Sequence, residues 1–219
     1  GGNPCGRREY NLYSVKFNSN GEMIGDIQYI SNLCLEYEIM ATQTIDNGNL
    51  ISIMKCTTTK QVGCWKSHEK FYGLGFNSDG EVYGEFSDNE LFTGDDRKCD
   101  DSIQFEIESL SNGGFVAYSF DKNPNWELKP GILKVFNENG SNLKTITIDV
   151  KQGATGVSPI YVSSYNSGFI VILTDHIGSY ETNWMNFDNE GNQLNDKELL
   201  SDEIYCEYSW NYAYSKIVK

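Results

Sequence analysis

The sequence predicts an all-β protein made of repeated four-stranded antiparallel sheets, and three observations carry that prediction. The first is a phrase that occurs four times: an aromatic, Asn or Asp, two polar residues and Gly. It reads Phe17-Asn18-Ser19-Asn20-Gly21, Phe76-Asn77-Ser78-Asp79-Gly80, Phe136-Asn137-Glu138-Asn139-Gly140 and Phe187-Asp188-Asn189-Glu190-Gly191. Successive copies lie roughly 50–60 residues apart, a spacing that marks a repeat architecture. The second is alternation on both sides of the phrase. Tyr13, Val15 and Phe17 precede the first copy, and Met23, Gly25, Ile27 and Tyr29 follow it. After the third copy, Leu143, Thr145, Thr147 and Asp149 alternate with Ile146, Ile148 and Val150. Such a period of two is the mark of half-buried strands. The third is a second turn phrase upstream of the later copies: Asp46-Asn47-Gly48-Asn49-Leu50, Ser111-Asn112-Gly113-Gly114-Phe115 and Tyr165-Asn166-Ser167-Gly168-Phe169.

Each element follows from local chemistry. Asn and Asp accept hydrogen bonds from backbone a few residues on, and Gly takes the positive φ that closes a hairpin. Every phrase is therefore a tight turn between two strands. One unit holds two hairpins, hence four strands, which is the size of a propeller blade. The expected units are about 35–87, 103–149 and 159–199. A fourth is composite: residues 10–30 give one hairpin, and residues 204–219, with a turn near Asn211, give the other. Residues 1–219 then form a single small β-propeller of about four blades. Closure through the termini removes open strand edges. The rival arrangement is an open array in which half-blades pair with neighbouring molecules.

The pattern Asn-Gly-Gly-Phe-Val, a variable loop, then Phe-Asn/Asp-x-x-Gly resembles the propeller-type repeats of large secreted and surface proteins of bacteria and protists. Residues 103–200 carry it most clearly, with Ser158-Pro159-Ile160-Tyr161 as the entry to a unit. The resemblance implies a fold and an extracellular setting, not an activity. The chain departs from it in the loops Cys56 to Lys70, Asp121 to Pro130 and Thr174 to Thr182, and in its cysteines.

Composition narrows the function. A formal net charge of −14, with no cluster of Lys or Arg, argues against nucleic acid and anionic membrane surfaces. No apolar run approaches the ~20 residues of a membrane-spanning helix. The opening Gly1-Gly2-Asn3-Pro4-Cys5 lacks a Met and an apolar signal core, so the expectation is a processed chain or a piece of a longer one. Six cysteines with no CxxC pair, and only two histidines, favour disulfides in an oxidising compartment over zinc. Asn139-Gly140-Ser141 is a glycosylation sequon, in keeping with secretion. Fifteen pairings of the cysteines are open. One joins Cys56 to Cys64 across a loop, Cys5 to Cys206 across the termini, and Cys34 to Cys99.

Candidate chemistry is sparse. The hairpin turns offer alternating Asn, Asp and Glu, but a calcium loop needs about six or seven oxygen ligands. The loop from Asp88 to Asp101, with Asp95, Asp96, Asp100 and Asp101, is the better calcium candidate, against the plainer reading of a solvated acidic run. Trp65 and Trp126 stand at similar distances before their Phe residues, in the loop joining strands two and three, with Trp184 out of that register. Exposed tryptophans beside polar residues are platforms for sugar rings; the alternative is packing between blades. No GxSxG, HExxH or phosphate-binding Gly loop is present, and His68 and His176 are expected in surface loops. The function expected is a secreted, non-catalytic structural or adhesive module that self-associates or binds other surface proteins. The alternatives are a carbohydrate-binding propeller and a glycan-active enzyme with a carboxylate pair.

Overall fold

The computed structural model describes residues 11–31, 36–46, 48–60, 67–82, 90–93, 103–121, 131–148, 160–176 and 180–201. Every regular element among them is a strand. The first two, β1 (Leu12–Phe17) and β2 (Met23–Ser31), form a lone antiparallel pair. Three four-stranded antiparallel meanders follow. The first is β3 (Glu36–Thr44), β4 (Leu50–Lys60), β5 (Ser67–Phe76) and β6 (Glu90–Thr93). The second is β7 (Ile103–Ser109), β8 (Phe115–Asp121), β9 (Gly131–Phe136) and β10 (Asn142–Ile148). The third is β11 (Ile160–Tyr165), β12 (Gly168–His176), β13 (Tyr180–Asp188) and β14 (Glu198–Ser201). The all-β class and the repeated sheets are as the sequence predicts. No sheet closes on itself among the described residues.

The chain divides into two compact units. One gathers Gly1–Asp101 with Phe105–Ile107 and Asn139–Ser141, and the other takes the rest. In the first unit the core runs along β4 and β5, where Ile51, Ile53, Met54, Phe71 and Leu74 are buried. Phe105 packs on Phe71 and Phe92, with ring centroids 4.4 and 5.4 Å away. In the second unit Val116, Tyr118, Leu133 and Val135 join Val162, Phe169, Val171, Leu173, Met185 and Phe187 in one cluster. The second strand of the first two meanders is buried on both faces along its middle, whereas β12 alternates, with Phe169, Val171 and Leu173 buried and Ile170 and Ile172 half-buried. Phe115, Val116, Ala117 and Tyr118 of β8 are all at most 1% exposed, so this strand reads as a continuous apolar run rather than an alternation.

The repeat phrase has a shared geometry. Asn18 N donates to Glu22 O and Gly21 N to Asn18 O, and the same pair of bonds recurs at Asn77 and Asp188. Gly21, Gly80, Gly140 and Gly191 sit at φ between 76° and 81°, the left-handed region open to glycine at little cost. A residue at the start of the second strand lies opposite the Phe that precedes the Asn/Asp turn: Leu50 faces Phe76, Phe115 faces Phe136, and Phe169, one residue into β12, faces Phe187. In the second and third meanders this makes a stacked pair of rings, 4.8 and 5.0 Å apart at 13° and 9°. Gly114 and Gly168 precede the first ring of each pair. A Cβ there would collide with the carbonyl oxygen of Phe136 or Phe187.

Several boundaries differ from expectation. The first and third units end at Thr93 and Ser201, not at 87 and 199, because the fourth strand does not directly follow the turn. A single bridge, Phe76 to Val82 or Phe187 to Gln193, comes first, and the ladder resumes at β6 or β14. In the third unit Asn195 holds this detour: its Oδ1 accepts from Asn186 N at 2.6 Å and its Nδ2 donates to Glu198 Oε1 at 3.1 Å. The acidic stretch expected as a loop from Asp88 to Asp101 contains β6, whose Leu91 and Phe92 are buried. Strands β4, β5, β12 and β13 also run further than expected, so the connections between them shorten to 61–66 and 177–179. Residues 204–219 of the composite unit lie outside the described residues.

Gly168→Ala should destabilise the chain by more than about 1 kcal/mol, because a methyl group would displace a backbone carbonyl rather than a side chain. The check is a thermal melt against Ser167→Ala in the same turn, which should stay within about 0.5 kcal/mol of the parent. Equal melting of the two variants would show that the glycine–carbonyl approach does not fix the hairpin.

Candidate functional site

The residue that opens three of the turns, Asn18, Asn77 or Asp188, spends its side-chain polar atoms within its own turn. Asn18 Oδ1 accepts from Asn20 N and Glu22 N, each at 2.9 Å, while Asn18 Nδ2 donates to Glu22 Oε2 at 2.8 Å. Asn77 repeats all three bonds with Asp79 and Glu81. Asp188 Oδ1 accepts from Glu190 N at 3.0 Å and Asn192 N at 2.7 Å, and its Oδ2 accepts from Asn192 Nδ2 at 2.9 Å. Oxygens aimed at their own backbone do not converge on a cation. Among the described residues no group of three or more His, Cys, Asp and Glu is arranged to hold a metal.

Other expected site residues are dispersed. Trp65, Trp126, Asp95, Asp96, Asp100, Asp101, Cys5, Cys34, Cys64, Cys99 and Cys206 lie outside the described residues. Trp184 is half-buried on strand β13, opposite Ile172 on β12 and Glu198 on β14. Cys56 was expected in a loop, but it lies within β4, opposite Tyr37 and Lys70, 1% exposed and disulfide-bonded. The histidines are not in loops either: His68 belongs to β5, paired with Thr59, and His176 to β12, paired with Tyr180. Asn139 is exposed in the turn between β9 and β10.

What the structure brings together instead is an unfinished sheet beside a finished one. Among the described residues strand β1 pairs with β2 alone. Its burial alternates, Leu12, Ser14 and Lys16 partly covered and Tyr13, Val15 and Phe17 exposed. Tyr13 faces Tyr29 and Phe17 faces Met23 across the pair, and the two tyrosine rings meet edge-on at 5.7 Å. These four side chains with Val15 and Ile27 are all exposed. A contiguous apolar face of this kind marks an interaction surface.

Between β1 and the meander of β3–β6 runs a groove of about 540 Å³. Every residue from Leu12 to Phe17 lines it, along with Ile39, Leu50, Met54, Leu74 and Phe76. Its floor carries a hydroxyl pair, Thr42 Oγ1 and Ser52 Oγ, 3.1 Å apart. Among the described residues no carboxylate lines it, and Lys16 is the one charged residue. Lys16 Nζ donates to Ser78 O at 2.9 Å, and its stem lies against Gly80. The second unit has a matching contact. Lys144 Nζ donates to Asn192 Oδ1 at 2.9 Å, and Gly191 lies against Val135, Ile146 and Lys144. Gly80 and Gly191 thus each seat on a lysine-bearing sheet that precedes them in sequence. Gly21, in the first turn, has no atom within 4 Å of where its Cβ would be.

Sequence reasoning missed this groove, though its signal was present. Aligning the four phrases places Phe17 with Phe76, Phe136 and Phe187, and only Phe17 has no second strand before it. Compared with family models and with curated proteins, the chain matches none.

The Asp188 turn yields a pH test. Burial raises the Asp188 pKa, but the hydrogen bonds from Asn192 and Glu190, with the Lys144 charge, outweigh it and hold the carboxyl below its ordinary value. A depressed native pKa gives stability that is present above the unfolded value, about 4, and lost as pH falls through the native one. Asp188→Asn keeps the turn, as Asn18 and Asn77 do in theirs, and removes the titration. The stability difference between parent and variant should therefore shrink as pH drops below about 4, which denaturant melts across pH 2–7 would read. A difference that is constant with pH would contradict the assignment.

Proposed function

We propose that this chain is a secreted, non-catalytic β-propeller module serving as a structural and adhesive unit. One observation carries the reading: among the described residues three four-stranded meanders accompany a two-stranded hairpin whose Tyr13, Val15, Phe17, Met23, Ile27 and Tyr29 are exposed. A repeat fold is stable when each sheet covers the next. The hairpin is therefore an association element, completed by the chain's own last segment in a closed wheel or by a neighbouring molecule in an array. We favour the wheel, with residues 204–219 completing the sheet of β1 and β2. The disulfide at Cys56 and the exposed sequon at Asn139 suit an extracellular life. The resemblance of the repeats to those of secreted and surface proteins points the same way.

Electron microscopy of the native material should show compact wheel-like particles or ordered strings of them, and a glycan array should retain none of the protein. Glycan retention that Trp184→Ala abolishes, with the fold intact, would replace this reading by carbohydrate binding.

A further inference from the structure

The end strand of a sheet offers its outward backbone groups to any strand that comes beside it, and proteins commonly answer with a charged side chain on that strand. Among the described residues the end strands are β1, β2, β3, β6, β7, β10, β11 and β14. Lys16, Asp26, Glu38, Glu90, Glu108, Lys144 and Glu198 put a charge into all of them but β11. Strand β11 reads Ile-Tyr-Val-Ser-Ser-Tyr, with four of its six residues Ile, Tyr or Val and no charge, Gly or Pro. That is the composition of a segment that pairs with copies of itself.

The outer side of β11 nevertheless meets a carboxylate. Tyr165 and Gly168 close a two-residue turn onto β12. Residues of an antiparallel pair alternate in pointing their N–H and C=O groups at the partner strand. Ser164, next to the closing pair, points its N–H away from β12 and donates to Glu108 Oε1 at 2.7 Å, in a partly buried setting. Two residues on, the carbonyl oxygen of Asn166 accepts from Ser111 Oγ at 3.1 Å. Asn166, at φ 51°, turns β11 into β12 and is the one residue other than Gly in the left-handed region among the described residues. An amide and a carbonyl of this edge are thus held by side chains of the meander before it in sequence. A hydrogen bond to a carboxylate is about twice as strong as one to a neutral acceptor, so an incoming strand has a strong bond to displace.

We propose that Glu108 guards the β11 edge: its carboxylate occupies the Ser164 amide and prevents the β11 of a second copy of this chain from adding there as an antiparallel strand. The strand without a charge of its own borrows one from β7. A second copy is the partner that the composition of β11 selects, and an uncharged strand sets no like charges opposite one another in such a pairing.

The test compares full-length Glu108→Leu, which keeps a side chain of similar size without an acceptor, with Glu108→Gln, which keeps an acceptor oxygen without the charge. Sedimentation velocity should show Glu108→Leu gaining dimers relative to the parent, while Glu108→Gln sediments as the parent does. Hydrogen exchange locates the contact. The Ser164 amide should exchange more slowly than free peptide by roughly tenfold or more in the parent, freely in dilute Glu108→Leu, and slowly again in its dimer. Should Leu disturb the fold, Glu108→Thr, too short to reach Ser164, reads the same contrast. Parent-like sedimentation of the folded acceptor-free variant, equal association of the Gln variant, or association that leaves Ser164 exchanging freely would overturn the proposal. Dimers of Glu108→Leu from a parent that forms neither wheels nor strings would keep the guard and remove the structural role. Wheels or strings from a parent whose Ser164 amide exchanges freely would do the reverse.

Discussion

The fold depends on one junction, where the start of the second strand of a sheet meets the end of the third. In two of the three complete sheets two phenyl rings stack there, Phe115 on Phe136 and Phe169 on Phe187. The stack needs a close backbone approach, and Gly114 and Gly168 permit it by leaving room for a carbonyl oxygen. After Phe187, Asp188 captures two backbone amides, as Asn77 does after Phe76, and the Gly that follows turns the chain back. The recurring letters are thus a mechanical part: a ring to fix register, an oxygen to hold the loop, and a glycine to reverse it. Register fixed at this point determines which side chains enter the core, since a one-residue slip would turn every side chain to the other face.

The same dependence explains what could be read from sequence. Turn phrases carry their geometry in residue identity, so the hairpins and nearly all strands were legible. Legibility fails where burial depends on distant contacts. Glu90–Thr93 sits among carboxylates and has only four residues in which to show a period, yet Leu91 and Phe92 are core because β5 and Phe105 await them. The detour before β14 depends on Asn195 satisfying Asn186, and no local pattern announces that bond. His68 and His176 lie at strand ends that pairing extends beyond the apolar stretch. The alternation of β1 marked a strand correctly, but it says nothing of which partner covers the apolar side.

Charge separates the surface into two kinds. The chain carries a formal net charge of −14, which keeps most of its faces apart from one another by repulsion. The turns put part of that charge to internal use: Glu22, Glu81 and Asp188 hold donors of their own loops. The groove along β1 is the exception, free of carboxylates among the described residues and bordered by one lysine. In so acidic a chain, a carboxylate-free groove is where apolar contact meets the least electrostatic resistance.

A two-stranded ribbon is marginal in water on its own. The pair of β1 and β2 half-covers Leu12, Ser14 and Lys16 and touches its neighbour through Lys16 on Ser78 and Gly80, and it leaves its other side exposed. Its exposed Tyr13, Phe17, Met23, Ile27 and Tyr29 are the residue types that a sheet interior takes up and a soluble surface avoids. The three four-stranded sheets meet the same requirement with a second strand whose core face is buried, Ile51 and Ile53 in β4, Phe115 to Tyr118 in β8, and Phe169, Val171 and Leu173 in β12. What distinguishes the first sheet is that, among the described residues, it holds only the two strands that flank an Asn/Asp turn, the pair that answers to the third and fourth strands of the other sheets. One turn chemistry thus serves both a sheet that buries its aromatic junction, at Phe136 and Phe187, and a hairpin that leaves Phe17 exposed.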